Sequence, residues 1–556
     1  MQWRSVSQHA QFNLSFVWLT LSVVVGCTPA SPVELKHTIS TRPNIVLFYA
    51  DDLDADEIGC TSSQDNWATH TGFNNLPGWN RTKNGLGVNG GKLLLTPNID
   101  SLANTGTTLT RFYITSPACT PSRYTLLTGR IASRNPVKQK SYARIDWRVP
   151  LHSRETSLPK TLQRAGYKTG VVGKWHNFSK RRSIFLRIPH DATFEFLKSA
   201  NINEQLKEQH ERDVAELSNG FGWDFVDRIS NGNTAFNLEW MVEGALQFID
   251  ENHDQPFFLY VPLPVPHGGY SDQANQVDQL EPLATAAGLI DHLPDVMPSR
   301  ASVYERLRAA NMPRNKAMAT HMDDAVGAIL DKLSEMKVRE NTIVFFISDH
   351  GSFGKYSCYE GAARVPAFVN WPAGIKAGGR IESLTGNLDM AATLTSIAGL
   401  EPPADMQQDG RSFLPQLLGR QEPKNWRKSI LLEAGYSKAV VSKRWKYIAN
   451  RPPPEILEKM KEDAEHASAT GQHRTIFWTG STSLSFGNHR KFPHYFDKDQ
   501  LYDLENDLYA RTNLANDPAY ATVLAEQKER LSEFLESLTV TFGEFKETGP
   551  GKRIAP

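Results

Sequence analysis

The sequence predicts an α/β fold: a mostly parallel central sheet flanked by helices, with a smaller C-terminal α+β subdomain. Three observations predict it. Four apolar runs of strand length, "NIVLFYADD" (44–52), "TGVVGKWH" (169–176), "FFLYVPLPVPH" (257–267) and "TIVFFISDHG" (342–351), each end in polar or charged residues, as buried parallel strands do. Helical patterns alternate with these runs. Beyond about residue 420 the pattern changes to the short strands "SILLEAG", "KAVVSKRWKYIAN" and "QLYDLEND", closed by the helix "ATVLAEQKERLSEFLESL".

Taken in order, the chain begins with an apolar run from Phe16 to Gly26, preceded by Arg4 and followed by "CTPAS". It is too short to span a bilayer and has the pattern of a secretory signal, assigned to residues 1–30. "VVVGC" places small and aliphatic residues before Cys27, as in a bacterial lipoprotein box, with cleavage after Ala30 as the alternative. The expected location is therefore exported, periplasmic or lipid-anchored to a bacterial membrane. "TPNIDSLANTG" predicts a helix with Thr96 as its cap, Pro97 in the first turn and a stop at Gly106. "SPACTPSRYTLLTGR" (116–130) predicts another that opens around Cys119 and Pro121 and closes at Gly129. At the positive end of such a helix Cys119 reads either as a place where a developing anion is stabilised or as a small buried apolar side chain. The pentad alone leaves both open. "ATHMDDAVGAILDKLSEM" puts Met322, Val326, Ile329, Leu333 and Met336 on one face, with His321, Asp323 and Asp324 expected on the solvated face. Residues 61–95 and 268–315 read as long irregular stretches.

At 556 residues, 40% hydrophobic and 22% charged, the chain is expected to form one large globular domain plus a smaller one. Lys plus Arg equals Asp plus Glu at 61 each, so no overall field recruits nucleic acid or an anionic membrane. An anionic substrate must be held locally. Four cysteines, at 27, 60, 119 and 358, exclude a disulfide framework; whether Cys60 and Cys358 pair is open.

Ligands in open α/β sheets bind beyond the carboxyl ends of the strands. Gathered there are Asp51 and Asp52, Lys174 and His176, His267, Asp349 and His350, with Lys355 just beyond and Cys119 and Arg123 from the predicted helix. The three carboxylates offer hard oxygen ligands suited to Ca2+ or Mg2+, whereas thiolates and clustered histidines are too few for a structural zinc site. Arg123, Lys174 and Lys355 offer the opposite face, toward a tetrahedral oxyanion.

Several passages, "PNIVLFYADD", "TPNIDSLANTGTTLTRFYITSPACTPSRYTLLTGR", "GYKTGVVGKWH", "FFLYVPLPVPH", "SDHGSFGKYSCYEGAARVPAFVNWPAG" and "LYDLENDLYARTNLA", resemble the type I sulfatases of the alkaline phosphatase superfamily, in family order from residue 43 to about 515. The resemblance implies an alkaline-phosphatase-like catalytic domain over 42–420 and a C-terminal subdomain over 421–556. It implies that Cys119 is oxidised before folding, by a formylglycine-generating maturation enzyme, to formylglycine (3-oxoalanine), whose hydrate is the nucleophile. By the same carry-over Asp51, Asp52, Asp349, His350 and modified Cys119 are the metal ligands. Arg123 holds the hydrate and His176 is its partner. Lys174 and Lys355 bind sulfate oxygens, and His267 with Lys355 serves the leaving group. His350 stands where some members carry asparagine and others histidine, and the loop from Gly351 to Lys355 is shorter than in many relatives.

The implied function is hydrolysis of a sulfate ester on a small molecule or glycan, with no nucleic-acid partner and membrane contact only through an N-terminal lipid. The alternatives are a phosphonate or phosphate ester hydrolase of the same superfamily, or a non-catalytic binder of sulfated glycans with Cys119 unmodified. "SKRRSIFLR" (179–187) reads as a solvated charge run rather than an anionic-sugar subsite. Asn80 and Asn177 fit the glycosylation tripeptide.

Overall fold

Strand β1 (Asn44–Ala50) sets the architecture. Val46, Phe48 and Ala50 enter one buried apolar layer while Ile45, Leu47 and Tyr49 enter another. Side chains alternate with a period of two, so a sheet covered on both faces needs an unbroken apolar run. The structure, a computed structural model, describes residues 42–55, 57–58, 94–136, 149–178, 194–199, 201–231, 237–267, 277, 281–403, 409–470, 487–538 and 542–545. The expected signal, Cys27, Cys60, Asn80, the stretch 61–93 and the run 179–187 lie outside the described residues.

The main elements are β1, α1 (Pro97–Thr105), β2 (Thr107–Leu109), α2 (Cys119–Thr128), α3 (Leu158–Arg164), β3 (Lys168–Lys174), α4 (Ile202–Ser218), β4 (Phe225–Ser230), α5 (Leu238–Asn252), β5 (Phe257–Pro262), α6 (Arg300–Ala309), α7 (Ala317–Glu335), β6 (Thr342–Ser348), β7 (Ala367–Asn370), β8 (Gly379–Ile381) and α8 (Met390–Ile397). The eight strands form one sheet in the order β8-β2-β7-β6-β1-β5-β3-β4. β6, β1, β5, β3 and β4 run parallel, and β7 alone among the eight runs against its neighbours. Residues from α1, α5 and α7, among them Leu102, Phe248 and Val326, build the layer on one face. Leu126, Leu162 and Leu394 of α2, α3 and α8 build the other. Each fully buried Leu or Phe there contributes about 1.5–3 kcal/mol.

Toward the C-terminus β9 (Ser429–Ala434), β10 (Ser437–Ser442), β11 (Trp445–Asn450), α9 (Pro454–Thr470), β12 (Asp499–Asp503) and α10 (Ala521–Glu536) follow. The four strands form a separate antiparallel sheet in sequence order, and Leu531 and Leu535 of α10 pack against Val440 and Tyr447. The mostly parallel sheet and the small C-terminal antiparallel one are the architecture that the strand patterns predict.

Three local expectations are corrected. Thr96 makes no side-chain cap for α1; the Asp323 carboxylate, brought in from α7, accepts from Asn98 N at 3.1 Å and Ile99 N at 2.8 Å. His321, Asp323 and Asp324 are buried rather than solvated, because α7 is flanked by other helices as well as by the sheet. His321 lies 3.5 Å from Glu239 on α5, and Asp324 pairs with Arg306 on α6. The third concerns 268–315, whose described part contains α6 and a small hairpin pairing Ala284–Thr285 with Gly288–Leu289. Only Val303, Tyr304 and Leu307 of α6 are buried, too few apolar positions to stand out among its charges.

Candidate active site

Four neighbouring strands, β6, β1, β5 and β3, end on one side of the sheet, and each carries polar residues just past or at its last position. Asp51 and Asp52 follow β1, Asp349 and His350 follow β6, His267 lies beyond β5, and Lys174 closes β3 with His176 two residues on. Cys119 is the first residue of α2, and the turn stops at Gly129 in the left-handed region (φ 66°), which glycine enters without a Cβ clash. Sheet order thus assembles side chains separated by up to 300 residues.

One ligand atom from each of Asp51, Asp52, Cys119 and His350 lies within 4.8 Å of the others, and all four residues are buried. Cys119 Sγ is 3.5 Å from Asp51 Oδ1 and 3.4 Å from His350 Nε2. His350 Nδ1 is 3.1 Å from Asp52 Oδ1. Asp349 closes the group: its Oδ1 accepts from Asp52 N at 3.3 Å, and its Oδ2 accepts from Arg123 at 2.8 Å. Asp52 itself has φ 63°, a costly conformation for a non-glycine residue that turns its carboxylate inward.

Cations surround this acidic group. Lys174 Nζ is hydrogen-bonded to Asp51 and lies 3.8 Å from Cys119 Sγ. Arg123, fully buried, also donates to the Lys174 carbonyl at 3.0 Å. Lys355 Nζ donates to both oxygens of Asp52 at 2.8 and 2.9 Å and is 3.3 Å from His267 Nε2, so the short loop from Gly351 does reach the centre. His176 adopts φ 61° and its Nδ1 is buried without a hydrogen-bond partner among the described residues. Asp51, Asp52, Asp349, His350, Cys119, Arg123, Lys174, Lys355 and His267 are thus linked by direct contacts, while His176 makes no hydrogen bond to Cys119 among the described residues.

Electrostatics follow from this crowding. Burial and Asp51 push the Cys119 thiol up, yet Lys174, Lys355 and His350 together bring it below its usual value. Burial opposes ionisation of Asp52, but Lys355, His267 and His350 outweigh it and hold the carboxyl well below the usual range. Burial also disfavours the imidazolium of His350, while Asp349 and Asp52 overcome this and raise it to about 10. His267 is pushed down to about 3 by burial and the Lys355 ammonium. Burial, Lys174 and Arg123 likewise keep His176 neutral. Three buried carboxylates drawing in every nearby positive charge form a donor set matched to a divalent cation, with oxygen ligands dominant and one imidazole.

Some supporting residues were not legible as such. Asn177, whose sequence context fits a glycosylation tripeptide, is buried and its amide donates to Thr120 O at 2.8 Å and Val149 O at 2.7 Å, fastening the residue after Cys119. Asn488 donates to the Lys355 carbonyl at 2.9 Å from more than a hundred residues away. A lone asparagine has no spacing signal. Glu360, in the segment after Lys355, binds Lys446 of β11 at 2.6 Å and accepts from Tyr113 at 3.1 Å. Cys358 is a buried free thiol.

Comparison with known proteins agrees with this architecture. The Sulfatase family matches residues 43–400. Mouse N-acetylgalactosamine-6-sulfatase is 30% identical over 364 residues, covering 60% of this chain and 63% of that enzyme; the match thus spans less than two thirds of the relative's length. N-acetylgalactosamine-6-O-sulfatase of Bacteroides thetaiotaomicron is 24% identical over 602 residues, covering 93% of this chain and 97% of that enzyme. A solved structure of a protein in complex with its substrate D-glucosamine-2-N,6-O-disulfate shares the fold, with TM-score 0.56 at 17% identity over 89% of this chain and 98% of that one. The chain belongs to the sulfatase family, among the type I sulfatases of the alkaline phosphatase superfamily.

Proposed function

We propose that this protein hydrolyses sulfate esters on a carbohydrate, using Cys119 converted to formylglycine and a divalent cation, Ca2+ or Mg2+. The observation that carries the reading is Cys119 at the start of a buried helix, its Sγ between Asp51 and His350 and within 3.8 Å of the Lys174 ammonium. Asp51, Asp52, Asp349, His350 and modified residue 119 would hold the cation. Cation and formylglycine together supply a polarised sulfate and a nucleophilic hydroxyl. Lys174 and Lys355 neutralise the non-bridging sulfate oxygens, exchanging their present carboxylate partners in part for the ester. His176, kept neutral, accepts a proton beside residue 119. His267, neutral itself, has Nε2 3.3 Å from the Lys355 ammonium and relays a proton from that ammonium to the departing alcohol. Arg123 fixes Asp349 and Asp51 and so the floor on which these groups stand.

The carbohydrate part is supported by what the relatives act on: the mouse and Bacteroides thetaiotaomicron enzymes are named for N-acetylgalactosamine 6-sulfate. Export is supported by the apolar run before "GCTPAS", with periplasmic residence or a lipid on Cys27 as its two forms, and a separate maturation enzyme is the partner that conversion of Cys119 requires. The test is a panel of sulfated mono- and oligosaccharides beside matched aryl sulfate, phosphate and phosphonate esters, with products analysed. Turnover of sulfated sugars and of the aryl sulfate ahead of both phosphorus esters is expected. Preference for a phosphonate or phosphate ester would replace the reading with the other chemistry of the superfamily. An intact thiol on Cys119 without turnover would leave a binding protein.

A further inference from the structure

We infer that Glu433, on the C-terminal sheet, is a positioning residue for the helix that carries Cys119. The inference rests on the proposal that residue 119 is the nucleophile. Glu433 lies on β9, outside the eight-stranded sheet, and is fully buried. Its carboxylate reaches both sides of α2 at once. On the N-terminal side Ser116, three residues before Cys119, donates to Oε1 at 3.4 Å. On the C-terminal side Ser133 donates to the same Oε1 from its backbone N at 2.8 Å and to Oε2 from its hydroxyl. The backbone joins in, Glu433 N donating to Thr115 O at 2.7 Å. One side chain thereby straps the segment entering α2 to the segment leaving it.

Lys438, on the neighbouring strand, donates to Oε2 at 2.9 Å and to Ser133 Oγ at 3.2 Å, and is itself 1% exposed. A buried ion pair adds little net stability over apolar residues of the same volume. What it does supply is direction: with Oε2 held by Lys438, Oε1 is left aimed at Ser116 and Ser133. Asn387 adds a second hold, accepting from Thr115 N at 3.1 Å and donating to Ser122 O at 3.1 Å. The segment entering α2 and its first turn are therefore tied to both Asn387 and Glu433, and the placement of residue 119 depends on those ties. Misplacement of a reacting group by about 1 Å can cost on the order of 100-fold in rate, so a residue that never meets substrate can still govern turnover.

Glu433→Gln and Ser133→Ala test this in the full-length, metal-loaded protein, with turnover expressed per aldehyde-bearing chain and measured well below each variant's melting temperature. Because conversion of Cys119 is expected to precede folding, aldehyde content should match wild type. Glu433→Gln is expected to lower kcat by about 10- to 100-fold while KM shifts by less than about twofold, since no substrate contact is lost. Ser133→Ala keeps the Glu433–Lys438 pair and cuts one arm of the strap, with a several-fold loss of kcat expected. A purely structural role would lower the melting temperature and leave kcat per aldehyde at the wild-type value in both, and that result overturns the inference. Should Glu433→Gln fail to fold, an unchanged kcat in Ser133→Ala overturns it alone. Failure of the underlying reading shows elsewhere, as wild-type turnover by Cys119→Ala.

Discussion

His267 stands a third exposed at the rim of the centre, with Nε2 3.3 Å from the Lys355 ammonium and 3.8 Å from Asp52. That placement suits proton delivery to an alcohol leaving toward solvent. His267→Ala should therefore cost about 10²- to 10⁴-fold in kcat/KM for sugar or alkyl sulfates, and much less for nitrophenyl sulfate, whose leaving group hardly needs a proton. Plotting kcat/KM against leaving-group pKa checks this; equal losses across the series would remove His267 from the role. Asp51 makes a different kind of contribution. It faces Lys174, Arg123 and Cys119 together, and its charge is part of what draws a cation in. Asp51→Asn should weaken Ca2+ or Mg2+ binding by at least about tenfold, read by calorimetric titration of the chelated protein, while unaltered affinity would place the ion elsewhere.

Elements matter here through what they bring to their ends. The four strand patterns in the sequence were legible because a sheet buried on both faces demands continuous apolar runs, and polar residues following such runs lie at the ligand side by topology. Helix α2 was legible from Pro121 and Gly129. Less legible were contacts made between helices. Asp323 looked like a solvated residue because α7 has an apolar stripe facing the sheet, and nothing in its own spacing reveals that the N-terminus of α1 lies against its polar face. Its carboxylate satisfies Asn98 N, Asn98 Nδ2 and Ile99 N. Asp323→Ala strands these donors and should destabilise the fold by about 1–3 kcal/mol, with Asp323→Asn recovering part of the loss; chemical denaturation measures both. A change below about 0.5 kcal/mol for the alanine variant would mean that Thr96 or water substitutes as the cap.

At the scale of the whole molecule, a large α/β layer carries the candidate site and the small antiparallel sheet braces the loops around it: Glu433 the Cys119 segment, and Lys446 through Glu360 the segment after Lys355. The first part could be read from the sequence because family passages and strand ends coincide. The bracing could not, since Glu433, Lys446 and Asn488 are single polar residues in short elements, and the partners they brace, Ser116, Glu360 and Lys355, stand far away in the chain. What unites the molecule is the claim that residue 119 performs the chemistry. The most direct test is the rate of sulfate release from an aryl sulfate by Cys119→Ala against the wild-type protein, both saturated with Ca2+ and matched in circular dichroism. Loss of at least about 10³-fold is expected, because a small side chain keeps the helix start intact and removes the nucleophile. Sulfate release by the alanine variant at the wild-type rate would contradict the account, since water rather than residue 119 would then be attacking sulfur.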